Sequence, residues 1–109
     1  MPQREPALII ADIREAGERV ISYARQMSFA DLQNDRKTID AVLHNLMIIG
    51  EAANRLPDTD RARYPAIDWR RIIAFRNIVV HEYFGVDLMA VWGIVTMHLP
   101  ELLATLPND

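Results

Sequence analysis

Asp68-Trp69-Arg70-Arg71-Ile72-Ile73-Ala74-Phe75-Arg76-Asn77-Ile78-Val79-Val80-His81-Glu82-Tyr83 reads as one helix. Asp68 is an N-cap residue, able to accept from the first free backbone N–H groups. Trp69, Ile72, Ile73 and Phe75 recur at helical steps, and Gly85 follows Phe84 as a natural C′ residue. The second half carries an unusual polar set, Arg76 to Tyr83, where a solvated face would more commonly show Lys and Glu. At about 100° per residue, Arg76, Val80 and Tyr83 fall within about 60° of each other. Asn77 and His81 form an adjacent stripe, four residues apart. An arginine that grips phosphate oxygens bidentately, beside an imidazole that exchanges protons near neutral pH, is the chemistry of half a phosphodiester-handling site.

Outward from this stretch the pattern stays helical. Pro6 suits a first helical position, and Ala7 to about Met27 follows, with Leu8, Ile9, Ile13, Ala16, Val20, Ile21 and Ala24 on one face. Ser28 and the Asp31–Asp35 region mark a break and a new cap. A second long helix runs from about Asn34 to Leu56, its stripe being Ile39, Val42, Leu43, Leu46, Met47, Ile49, Gly50 and Ala53, and Pro57 ends it. Asp58 is placed to cap a short turn through Arg63, and Tyr64-Pro65 forces an extended connection. Asp87 caps a last helix with Leu88, Val91, Trp92, Val95 and Leu99 inward, which Pro100 either kinks or ends. No segment alternates with period two. The expected fold is all-α, an up-and-down bundle of four main helices plus a short one, in a single domain spanning 1–109.

The chain has 109 residues, half of them apolar and a quarter charged, an ordinary globular composition. Self-association is compatible with so small a core. There is no cysteine, so disulfides and thiolate metal sites are excluded. The start of the chain, soon interrupted by Asp12, reads neither as a signal peptide nor as a membrane span, and a cytoplasmic location is the simplest expectation. A net charge of −3 disfavours general capture of nucleic acid. Residues 61–76 nevertheless carry Arg61, Arg63, Arg70, Arg71 and Arg76 against the single acid Asp68. Such a patch suits a confined anionic ligand, and charge alone is equally met by a solvated arginine-rich loop.

Gly50 lies inside a helix, where it costs about 1 kcal/mol relative to alanine. Close helix packing would explain it, with Glu51 pairing to an arginine of the patch; an exposed glutamate beside a packing glycine is the plainer alternative. Of the three histidines, His44 and His98 read as helix-surface residues, and His81 differs through its company. None stands at His-x-x-x-His spacing, so neither metal nor cofactor is expected. Met27, Met47, Met89 and Met97 read as helix-interior residues, and Trp69 and Trp92 as packing groups. There is no catalytic-triad order and no glycine-rich phosphate loop.

Ile49-Gly50-Glu51-Ala52-Ala53, Pro65-Ala66-Ile67-Asp68-Trp69, and Arg76-Asn77 followed by His81-x-Tyr83, in this order, resemble the HepT-like (DUF86) proteins of the HEPN superfamily. Val86-Asp87 and Val91-Trp92 continue the likeness over nearly the whole chain. The resemblance implies an endoribonuclease toxin of a toxin–antitoxin pair, a homodimer whose Arg-x4-His segments line one cleft. It implies Arg76 and His81 as the catalytic pair and Asn77 as an auxiliary. It also implies Tyr83 as the target of AMPylation by a minimal nucleotidyltransferase antitoxin. Glu51, Arg70 and Arg71 are the supporting candidates. The chemistry would need no metal and leave 2′,3′-cyclic phosphate or 3′-phosphate ends. The competing expectation is a non-catalytic subunit that holds a nucleotide or substrate for a nucleotidyltransferase.

Overall fold

A computed structural model describes residues 4–83 and 87–107, the side chains of residues 80–83 excepted. Among the described residues every regular element is helical, as the periodicity requires. Helix α1 (Pro6–Ala24) begins on Pro6 and stops three residues short of Met27, at a turn where Gln26 takes a positive φ of 68°. Helix α2 (Phe29–Gln33) is a short element beyond the predicted set. It is nucleated by a capping box in which Ser28 and Asp31 exchange side-chain-to-backbone hydrogen bonds of 3.0 Å.

Helix α3 (Arg36–Arg55) is the central post, packed against α1 on one side and the Asp68–Tyr83 segment on another. Asp35 caps it by accepting from the backbone N–H of Thr38 at 3.0 Å and from its hydroxyl at 2.7 Å. The backbone bond first, then the hydroxyl bond and Lys37, hold the Asp35 carboxyl below the usual carboxylate range. Ile39, Val42, Leu43, Leu46, Ile49 and Ala53 are buried as the stripe predicted. Met47 is not: it is 40% exposed, and Leu8 of α1 is 47% exposed. Both sit at the margins of apolar stripes wider than the contact that the neighbouring helices make. Met89 and Met97 are likewise on the surface rather than inside.

After α3, Pro57 rather than Asp58 occupies the N-cap of the single turn α4 (Asp58–Arg61), and Asp58 pairs with Arg61. Tyr64-Pro65 does not extend the chain. The Ile67 N–H donates to the Tyr64 carbonyl at 3.1 Å, closing a turn with proline at its second position.

The expected helix from Asp68 is two: α5 (Trp69–Ile73), capped by Asp68, and α6 (Phe75–Tyr83), separated at Ala74. The proposed stop at Phe84-Gly85 lies outside the described residues. Helix α7 (Leu88–Gly93) is capped by Asp87, whose carboxylate accepts from Ala90 at 2.9 Å. It runs on through a wider π turn (Ile94–His98) into α8 (Leu99–Thr105). Pro100 therefore neither ends nor sharply breaks the helix. It lacks the N–H that an α-helix would give to the Thr96 carbonyl, and the turn before it widens instead.

The stretch Leu88–Thr105 is long and apolar enough, by composition, to cross a membrane. In this structure its Val91, Ile94, Val95, Leu99 and Leu102 are buried in the shared core. Arg14 ties that last helix to the first: it donates to the carbonyls of Pro107 and Leu103, each at 3.0 Å, and of Leu106 at 2.6 Å.

Candidate active site

Phe75 and Val79, one turn apart on α6, are fully buried, and Ile78 packs beside them. The inward side of α6 is thereby fixed, which leaves Arg76 and Asn77 exposed. The helix continues without a break through His81 to Tyr83, so the backbone keeps Asn77 and His81 one turn apart. The His81 and Tyr83 side chains lie outside the described residues.

Two consecutive residues of α3 determine how Arg76 is held. Gly50 meets the α5–α6 junction so closely that a Cβ there would stand 2.7 Å from Arg76 Cγ and 3.2 Å from both the Arg76 nitrogen and the Ile73 carbonyl. The missing side chain lets the arginine stem lie across the α3 backbone, which is the close packing expected of this glycine. The next residue, Glu51, accepts from Arg76 Nε with Oε1 at 2.7 Å, both side chains being about half exposed (39% and 46%). Of the two readings of Glu51, paired or plainly exposed, the structure selects the pair and names Arg76 as its arginine. Its grip on Nε leaves the two terminal nitrogens of Arg76 with no hydrogen-bond or ion-pair partner among the described residues, and those nitrogens can still face an oxyanion.

The remainder of the arginine patch is arranged otherwise. Arg61 pairs with Asp58 and donates to the Ala53 carbonyl at 3.3 Å, while its own carbonyl accepts from Trp69 Nε1 at 3.0 Å. Arg63 lies 3.9 Å from Asp60. Arg71 is 4.0 Å from Asp68 and its Nη1 reaches His98 Nδ1 at 3.3 Å. Those contacts put Arg71 in a separate small cavity of about 60 Å³, together with Glu101 and Thr105. His98 is consequently half-buried against an arginine rather than a plain surface residue. Arg70 is exposed and has no described partner. Counting charges along residues 61–76 thus missed Asp58, Asp60 and Glu51, which lie outside that window and pair with three of its arginines, Arg70 being left without a described partner. Of the supporting candidates, the fold brings only Glu51 to Arg76.

Trp69 also packs edge-on against Tyr64, with ring centroids 6.5 Å apart, and Trp92 lies 6.1 Å from Phe29. Both tryptophans are packing groups, as expected. Among the described residues no cluster of three His, Cys, Asp or Glu is arranged to hold a metal.

The chain is thus a helical bundle in which the Arg-x4-His segment lies on α6, with Arg76 held against Gly50 and Glu51 of α3. The family described as ribonuclease HepT-like matches residues 13–108, and the chain belongs to it. Among relatives, a Thermococcus cleftensis protein named "Probable ribonuclease HepT" is 38% identical over 93 residues, covering 85% of this chain and 84% of its own. A Methanocaldococcus jannaschii protein named as a candidate RNase is 32% identical over 100 residues, covering 92% and 83%. A similarly named protein of Caldanaerobacter subterraneus is 31% identical over 99 residues, covering 91% and 88%. No solved structure matches the chain.

Proposed function

We propose that this protein is an endoribonuclease toxin that cuts RNA without a metal, and that two copies combine their Arg76 and His81 residues in one cleft. The observation that carries the reading is the state of Arg76: exposed on α6, gripped through Nε by Glu51 at 2.7 Å, and five residues before His81 on the same unbroken helix. The names of the relatives support the same activity.

In the proposed reaction His81 of one copy takes the proton from a ribose 2′-hydroxyl. The 2′-oxygen bonds to phosphorus, the bond to the 5′-oxygen breaks, and that oxygen takes a proton from the second copy's imidazolium. Arg76 stabilises the charge that gathers on the non-bridging oxygens, and Asn77 is available to hydrogen-bond the same phosphate. The products end in 2′,3′-cyclic phosphate, or in 3′-phosphate after hydrolysis.

Control follows from Tyr83. A partner nucleotidyltransferase would join the Tyr83 hydroxyl oxygen to the α-phosphorus of ATP, releasing pyrophosphate and a proton. The resulting AMP-tyrosine places bulk and negative charge on the helical stripe of Arg76, in competition with RNA.

The test is expression of the chain without a partner, wild type beside His81→Ala, followed by RNA gels and end-group analysis. Growth arrest with cyclic-phosphate or 3′-phosphate fragments in the wild type only is the expected result. Intact RNA in both strains would point to a nucleotide-binding subunit, and 3′-hydroxyl ends would remove the proposed chemistry.

A further inference from the structure

The side of Glu51 away from the core borders a groove of about 310 Å³ between the start of α1 and the exposed face of α3. It is at the small end of ligand-site volumes, about 300–1,000 Å³. Buried Ile9 and Ala52 make its floor, and Met47 and Ile48 its apolar wall. Most of the charge on its rim is already paired. Arg4 clasps Asp12 with bonds of 2.7 and 3.0 Å, and Glu51 holds Arg76. His44 and Arg55 are exposed rim groups with no hydrogen-bond or ion-pair partner among the described residues. The uncompensated rim therefore favours an anionic ligand.

From this arrangement we infer that the groove is a nucleotide subsite of the RNA substrate. It takes the base next to the phosphate gripped by Arg76, while Arg55 contacts the backbone beyond. The inference rests on the ribonuclease reading above. It explains why an apolar, polarizable side chain such as Met47 is 40% exposed on a helix whose other apolar residues are mostly packed. Flexible thioethers and aliphatic groups accept the flat face of a base in many orientations. His44 and the Asp12 carboxylate are then placed to hydrogen-bond a base edge, and sequence preference at one position flanking the cut would arise here. Phosphate contacts supply affinity, and base contacts supply preference.

The experiment measures cleavage of a set of ten-nucleotide RNAs, varied one base at a time around a single cut, by wild type, Met47→Glu, Arg55→Gln and Arg76→Ala. The mass of each protein in solution is measured alongside. Met47→Glu should raise KM by about tenfold, the loss of one stacked base, and flatten the preference at one flanking position. Arg55→Gln should weaken binding to all sequences alike and reduce the salt slope by about one contact. Unchanged KM and preference in both variants, with Arg76→Ala inactive, would overturn the subsite and leave the ribonuclease reading standing. Full activity in Arg76→Ala would remove that reading and the subsite with it. A Met47→Glu protein of half the wild-type mass would show that the groove is a contact between copies, which also overturns the proposal. Because Met47 and Arg55 are exposed, neither substitution disturbs the core.

Discussion

Two arginines at two helix junctions show what the fold fixes and what it leaves available. Arg14, where α1 meets the end of α8, spends its donors on three backbone carbonyls at 2.6–3.0 Å. Two of them, those of Leu103 and Leu106, belong to the last turn and C-cap of α8, where carbonyls lack internal partners and a cation complements the negative end of the helix dipole. Arg76, where α3 meets α6, is held by one carboxylate oxygen and remains 46% exposed. Among the described residues the same side chain is a staple on three carbonyls in one region and, in the other, a cation held through Nε alone with both terminal nitrogens unpartnered.

The largest effect should come from exchanging these roles. Arg76→Ala should lower cleavage by about 10²–10³-fold, the usual loss for a donor aimed at developing charge. Its exposed ion pair is worth less than about 1 kcal/mol of stability, so thermal melting should hardly move. Arg14→Met should do the reverse, costing about 1–3 kcal/mol from hydrogen bonds to a charged donor and lowering Tm with normal cleavage per folded molecule. Equal loss of activity in both variants would erase the distinction.

A smaller effect is expected at Gly50. Gly50→Ala places a Cβ against Arg76 Cγ and against backbone, so the arginine stem must move. Misplacement on that scale should cost about ten- to a hundredfold in kcat, together with about 1–3 kcal/mol of stability from overpacking. Steady-state kinetics beside a denaturation curve measures both.

Glu51→Gln should be milder, losing at most about 1 kcal/mol of stability. Cleavage should fall through kcat while KM for RNA does not rise, because a guanidinium released from its carboxylate still attracts phosphate. A rise in KM alone would make Glu51 a binding residue instead of a positioning one.

The smallest effect is the acid response of the Asp35 cap. The folded-state pKa of Asp35 is lowered by its bonds to Thr38. Its contribution is therefore fully present above the unfolded value, about 3.9, and is lost as pH falls through the lower folded value. Asp35→Asn should remove that part of the acid dependence of Tm below about pH 4 and change nothing at neutral pH through titration.

How much of this was legible depended on sequence distance. Asp68 and Asp87 act on N–H groups three residues away, so their capping could be read from order alone. The Arg76–Glu51 pair was half readable: an interior glycine signals a close approach, but which arginine the neighbouring glutamate meets, or whether it stays unpaired, depends on where α6 lies against α3. The Ala74 break and the π turn ahead of Pro100 were hidden, since each is a local adjustment of helices that the pattern already predicts. The exposure of Leu8 and Met47 was hidden for another reason: an apolar stripe shows which side of a helix faces inward but not how much of it the neighbours cover. Arg61 and Arg63 looked like part of a free basic patch because their carboxylate partners fall outside the run of arginines.

The sequence by itself therefore determined an all-helical chain, most of its caps, and an α6 whose inward side leaves Arg76 and Asn77 exposed, because these depend on period and on contacts within a turn or two. Tertiary structure alone decided which arginines are neutralised, that Arg14 closes a helix end some ninety residues away, and that a groove opens beside Glu51. Those outcomes depend on where separate helices come to rest. That is set by the packing of the whole core, to which no single stretch of sequence gives access.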